Sequence, residues 1–84
     1  MKQEDGVTIY KTGPVYFATA SAGKVLADHT HKDAETLWII SGEGKIEIGS
    51  NTTEFKGPCV INIPSDQYHK FLAKTEVKFI YKYE

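Results

Sequence analysis

The sequence predicts an all-β domain, a sandwich or small antiparallel barrel, on three observations. Apolar and polar residues alternate with a period of two almost throughout. Turn-forming glycine, proline and asparagine break that alternation every six to ten residues. The chain has 84 residues, room for one domain spanning residues 1–84 and no more.

The runs VTIYKT (7–12), VYFATA (15–20) and VKFIYKY (77–83) are short, β-branched and aromatic, and bounded by turn residues. In the last, Val77, Phe79, Tyr81 and Tyr83 share one side, which is expected to face the core. TLWIISG, GKIEIGS and FKGPCVINIP continue the pattern. The segment GEG (42–44) reads as a hairpin turn and GSNTTEF as a second, since Gly and Asn accept positive φ. HKDAETLW is too short for a stable helix and lies between strands, so it is expected to be a turn entering the next strand. Eight or nine strands are expected, with at most a stray helical turn.

Composition excludes several classes. A chain that is 40% hydrophobic and 25% charged has the makings of a packed core, which argues against disorder. Net charge is −1 with lysine and glutamate interspersed, so no basic stripe exists to neutralise phosphates and no nucleic-acid partner is expected. No apolar run approaches the ~18 residues of a membrane span. The single cysteine, Cys59, cannot form an intrachain disulfide, and the opening MKQEDGV is not a charged-then-apolar leader; a cytoplasmic location is expected. A buried inert thiol is the expectation for Cys59, and a thiol beside a metal is the alternative. So small a core profits from a staple, here a metal ion or a partner subunit.

The chemistry sits in HTHKDAE (29–35). Two of the three histidines, His29 and His31, are one residue apart on a strand and share a face with Val25 and Ala27 by parity. Glu35 opens the next strand on the side of Leu37 and Ile39. A carboxylate on an apolar face is costly unless paired or bound to a cation. The third histidine, His69, shares a face with Phe71. Three imidazoles and one carboxylate suit Fe, Mn, Zn, Ni or Cu better than Mg or Ca. Taken singly, each has a plainer role: surface histidines on a strand, a hydrogen-bonded imidazole, a solvated strand start.

Together they fit a wider pattern. The spacing G-x5-H-x-H-x3,4-E-x6-G is met at every fixed position by Gly23, His29, His31, Glu35 and Gly42. A second pattern, G-x5-P-x-G-x2-H-x3-N, is met by Pro64 and His69; Gly57 lies one residue too far from Pro64. Asp66 stands at its second glycine and Ala73 at its asparagine. Asp tolerates left-handed turn geometry, so the turn before His69 can survive. Over Gly23 to Ala73 the chain thereby resembles the cupin family. The resemblance implies a small antiparallel β-barrel of jelly-roll type with a divalent transition metal inside one mouth. His29, His31, Glu35 and His69 would be its ligands, leaving two positions of an octahedral ion for water or substrate. Phe71, Ile39 and Tyr81 are candidates to line the substrate pocket.

Cupins include dioxygenases, sugar and carbonyl isomerases, decarboxylases and non-catalytic sensing modules, and fold does not choose among them. A metal-dependent enzyme acting on a small oxygenated molecule, as a dioxygenase or isomerase, is the first expectation. A metal-dependent ligand-binding or sensing module is the second, and a purely structural ion the third. All ten basic residues are lysines, so bidentate arginine capture of phosphate or carboxylate is absent; an uncharged or directly chelating small molecule fits better. A homodimer is expected, because exposed sheet edges and surplus aromatics such as Trp38 call for cover.

Overall fold

The computed structural model describes residues 2–4, 6–30 and 32–84; the side chains of 2–4 and 27–30 fall outside the described set. Ten strands are present among these residues, and no helix. They are β1 (Lys2–Glu4), β2 (Val7–Thr12), β3 (Val15–Ala20), β4 (Val25–Thr30) and β5 (Glu35–Ser41), then β6 (Glu43–Ile48), β7 (Asn51–Lys56), β8 (Cys59–Ile63), β9 (Tyr68–Ala73) and β10 (Val77–Tyr83). The count exceeds the expected eight or nine. One reason is β1, whose polar KQE carries no alternation yet pairs with β2. No helix among the described residues is long and apolar enough to cross a membrane.

All pairing is antiparallel, in a six-stranded sheet ordered β1-β2-β3-β10-β5-β8 and a four-stranded sheet ordered β4-β9-β6-β7. After β3 the chain changes sheet at nearly every link, pairing strands far apart in sequence, as a jelly roll does. The two sheets are not closed into one ring; β1 and β8, and β4 and β7, are edges.

The alternation seen in the sequence sorts residues between the layers. Ala18 and Ala20 of β3, Leu37 and Ile39 of β5, Val77 and Phe79 of β10, Ile46 of β6, Phe55 of β7 and Phe71 of β9 are buried together between the sheets. Rings of Phe55, Phe71, Phe79 and Tyr81 touch in sequence, with centroids 5.2, 5.1 and 5.9 Å apart. This core and the pairing around it hold β5 and β9 in register, and those two strands carry the candidate site.

Two local expectations divide. GSNTTEF is a hairpin, β6 to β7 through Gly49–Ser50, with Gly49 at φ +59°. GEG is not: β5 and β6 belong to different sheets, and Gly42 is the single residue between them. It adopts φ +97°, and a Cβ there would strike the Glu76 carbonyl and lie 2.8 Å from Val77 Cα. A backbone passing this close to the start of β10 leaves room only for hydrogen.

Asp66, where the family pattern has glycine, is at φ +58°, alone among described non-glycine residues in the left-handed region. The turn before His69 therefore keeps its shape with a residue that bears this conformation moderately well. Asp66→Ala should cost ~1 kcal/mol, while Asp66→Gly should stay within ~0.5 kcal/mol of the parent, read by urea denaturation. Ala73, in place of the asparagine, is fully buried; its N–H donates to the Lys24 carbonyl and its carbonyl accepts from Gly23 N–H. Those two bonds tie the end of one motif to the start of the other.

Candidate metal centre

Glu35 is the first residue of β5 and His69 the second of β9, so each sheet contributes one. Both are buried, at 7% and 5% exposure, and His69 Nε2 lies 3.7 Å from Glu35 Oε1. His69 Nδ1 is 3.4 Å from the Gln67 carbonyl oxygen. A neutral His69 that donates its Nδ1–H there turns the Nε2 lone pair toward the carboxylate. Two acceptors facing each other in a dry interior require a proton or a cation between them. A backbone carbonyl orienting the far nitrogen is also how metal-ligating histidines are ordinarily held. The donor set therefore fits a transition ion.

Burial pushes the Glu35 carboxyl up to about 7 from its usual 4.5. A carboxyl whose folded value is raised lends full stability below its unfolded value and loses it as pH rises through the folded one. The metal-free protein should thus lose stability between pH 4.5 and about 7, by ~3 kcal/mol at most and roughly half that once solvent screening is allowed for. Glu35→Gln isolates this: the metal-free variant should be more stable than the parent at pH 8 and equal to it near pH 4.5. Equal stabilities at both pH values would show that the carboxylate is not strained.

The register places His29 directly across from His69. The parity used to put it there does not hold as counted. Val25 is exposed, Leu26 packs against the core instead, and a register shift between Leu26 and His29 inserts the residue that restores the alignment. The His29 side chain and all of His31 lie outside the described residues. Among the described residues no three His, Cys, Asp or Glu gather, so Glu35 and His69 are what this region brings together.

Of the pocket candidates, Tyr81 lies on β10, the strand that pairs with β5 at Glu35. In register, Tyr83 faces Glu35 and Tyr81 faces Leu37, one step further along. Tyr16 stacks on Tyr81 at 4.7 Å with 5° between ring planes, and Tyr83 meets both edge-on at 5.9 and 5.8 Å. Burial first, then the Glu35 charge, pushes Tyr81 up to about 12 and Tyr83 higher still. Both are neutral phenols at physiological pH, able to donate a hydrogen bond beside the carboxylate. Phe71 and Ile39 belong to the packed core. Cys59 faces Ile39, which lies four residues along β5 from Glu35, about 14 Å at ~3.4 Å per residue. That separation removes the thiol from the centre and leaves it half-buried against the core. The reading of the sequence missed Lys11, whose Nζ sits 5.5 Å over the Tyr16 ring; its shared parity with Ile9 was the available signal.

Comparison with known proteins agrees with this architecture. A Streptococcus pyogenes protein of unknown function superposes with TM-score 0.84 at 16% identity, over 99% of this chain and 77% of that one. A predicted oxalate decarboxylase from Thermotoga maritima gives 0.76 at 19% identity, over 82% of this chain and 63% of that one. A salicylate 1,2-dioxygenase from Pseudaminobacter salicylatoxidans gives 0.81 at 16% identity, over 92% of this chain and 25% of the other. At such identities the likeness shows a shared fold. No curated protein matches the sequence. The family model of the cupin domain matches residues 15–81, most of the length, and the chain belongs to the cupin family.

Proposed function

We propose that this cupin holds one divalent transition ion with His29, His31, Glu35 and His69, and acts as an enzyme on a small oxygenated molecule. The observation that carries the reading is the buried Glu35–His69 pair, one residue from each sheet, with Nε2 and Oε1 3.7 Å apart. Neither group is at home in an apolar interior without a cation or proton between them.

A bound ion would supply Lewis-acid polarisation of a coordinated oxygen. The chain's own residues supply the rest. Tyr81 and Tyr83 remain protonated and can donate to an oxygen of a substrate near Glu35. Phe71 and Phe79, buried with ring centroids 5.1 Å apart, make the adjoining interior apolar. With no arginine in the sequence, binding rests on chelation and phenol hydrogen bonds, which suits an uncharged or chelating substrate of the dioxygenase or isomerase type. The oxalate decarboxylase and salicylate dioxygenase likenesses are consistent with small oxygenated substrates.

Incubating the metal-loaded protein with a panel of small keto acids, hydroxy acids and sugars, with and without oxygen, tests this by product analysis. Turnover that disappears in His69→Ala supports an enzyme. A compound that binds the loaded protein tightly and is recovered unchanged, with no turnover across the panel, favours the sensing module instead.

A further inference from the structure

We propose, on the metal-centred reading of Glu35 and His69, that Lys11 is the far anchor of the same site and takes the distal carboxylate of a chelating dicarboxylic acid. Lys11 shares the inward parity of Val7 and Ile9 on β2, of which Val7 is buried and Ile9 packs on the core. Lys11, next to last on that strand, is exposed and so lies at the rim. Register sets it beside Tyr16 of β3, Tyr16 beside Tyr81 of β10, and Tyr81 beside Leu37 of β5. Tyr83 and Glu35 are paired one inward position nearer that end of the sheet. One inner wall thus runs from an ammonium, along a row of phenols, to the carboxylate of the metal centre. Its width is about 14 Å, from β2 through β3 and β10 to β5 at ~4.8 Å per strand.

The placement of the ammonium, its lack of a partner and the charge balance all point to a diacid. Lys11 and Tyr81 come from strands on opposite sides of β3. The ammonium, 5.5 Å over the Tyr16 ring, therefore covers the face that Tyr81 leaves free. That attraction draws the flexible stem over the wall rather than out into solvent. Among the described residues no carboxylate lies within ion-pair distance of Lys11, so its charge is open to a ligand. A divalent ion held by one carboxylate and neutral imidazoles keeps a single positive charge, and Lys11 adds another at the rim. Two carboxylates, one at each end of a ligand, balance both. Lysine binds as a point charge, which the single charge of a carboxylate matches better than the doubled charge of a phosphate. Between the ends, Tyr81 and Tyr83 are neutral donors, suited to a chain that carries acceptor oxygens. Lys11 thereby narrows the substrate class from uncharged or chelating molecules to chelating ones with a second carboxylate.

Calorimetric titration in oxygen-free buffer tests this on protein reconstituted with Mn²⁺, or with the first-row ion it retains. The probes are 2-oxo monocarboxylic acids and the 2-oxo dicarboxylic acids of the same carbon number, in a series of increasing chain length. At the best length the diacid should bind ~10-fold tighter than its monoacid, and that preference should shrink at high salt. Lys11→Gln should bring the ratio of the two affinities close to one, Lys11→Glu should invert it, and Lys11→Arg should restore it. Lys82→Gln, on the outward side of β10, should leave the ratio as in the parent. Lys11 is exposed, so these variants should fold, and an unchanged circular dichroism spectrum checks it. Monoacids that bind as tightly as diacids at every length overturn the proposal, as does loaded protein that binds neither. A diacid preference that survives Lys11→Gln overturns it too. Protein that takes up no first-row ion overturns the metal-centred reading itself, and the role of Lys11 with it.

Discussion

Replacing His69 with alanine is expected to strip the protein of its metal, lowering affinity by more than ~100-fold. Loss of an outer-sphere partner alone costs about 10–100-fold, and a direct ligand costs more. The same change should remove the stabilisation that metal confers. An ion present at ~1,000 times its dissociation constant adds about 4 kcal/mol, a large share of the 5–15 kcal/mol that holds a small domain together. At ~4–8 °C per kcal/mol for a domain of this size, chelating the parent should lower its melting temperature by roughly 15–30 °C. The variant should melt near the chelated parent and ignore chelator. Full metal content in folded His69→Ala protein would rule this residue out as a ligand. His69→Gln, closer in volume and still able to hydrogen-bond, separates loss of metal from loss of packing.

Gly42→Ala is expected to be strongly damaging although it lies outside the site, costing about 3 kcal/mol or more. Its φ of +97° is hard for any residue with a Cβ, and the added methyl would collide with the Glu76 carbonyl as well. Gly13 provides the comparison: it too has positive φ, +58°, but a Cβ there would meet nothing within 4 Å. Gly13→Ala should cost only ~1 kcal/mol, the conformational part alone. Chemical denaturation of the two variants measures the difference, which is the cost of crowding β10. Equal losses would mean that the close approach at Gly42 relaxes without penalty.

Much of this fold could be read from residue alternation because each sheet buries one face. The runs VTIYKT, VYFATA and VKFIYKY coincide with β2, β3 and β10. What alternation cannot report is which strand pairs with which. GEG has the chemistry of a hairpin turn, yet the chain there crosses to the facing sheet; pairing of β5 with β10 and β8 decides this, and those partners lie far away in sequence. The extra residue between Leu26 and His29 is hidden for a related reason. A bulge reverses parity without changing composition, so simple alternation groups Val25 with His29 although Val25 is exposed and Leu26 packs on the core. β1 is held by backbone pairing to β2 and so leaves no apolar signature.

The site was legible to a different depth. Spacing nominated Glu35 and His69, and the fold buries them together between the sheets. The family pattern also nominates His29 and His31; His29 is aligned with His69 by register, and the remainder of that pair lies outside the described residues. The tyrosine cluster of Tyr16, Tyr81 and Tyr83 is built from two strands paired across 65 positions of sequence, Tyr16 facing Tyr81. No local pattern could have assembled it, although the shared side of Tyr81 and Tyr83 on β10 was visible.

Elemental analysis of protein purified without a metal-binding tag, carried out on the parent, Glu35→Gln and His69→Ala, addresses the metal centre most directly. About one equivalent of a first-row transition ion in the parent, lost from both variants, is the predicted result. A parent free of metal that also refuses Fe, Mn, Zn, Ni and Cu on titration would contradict it.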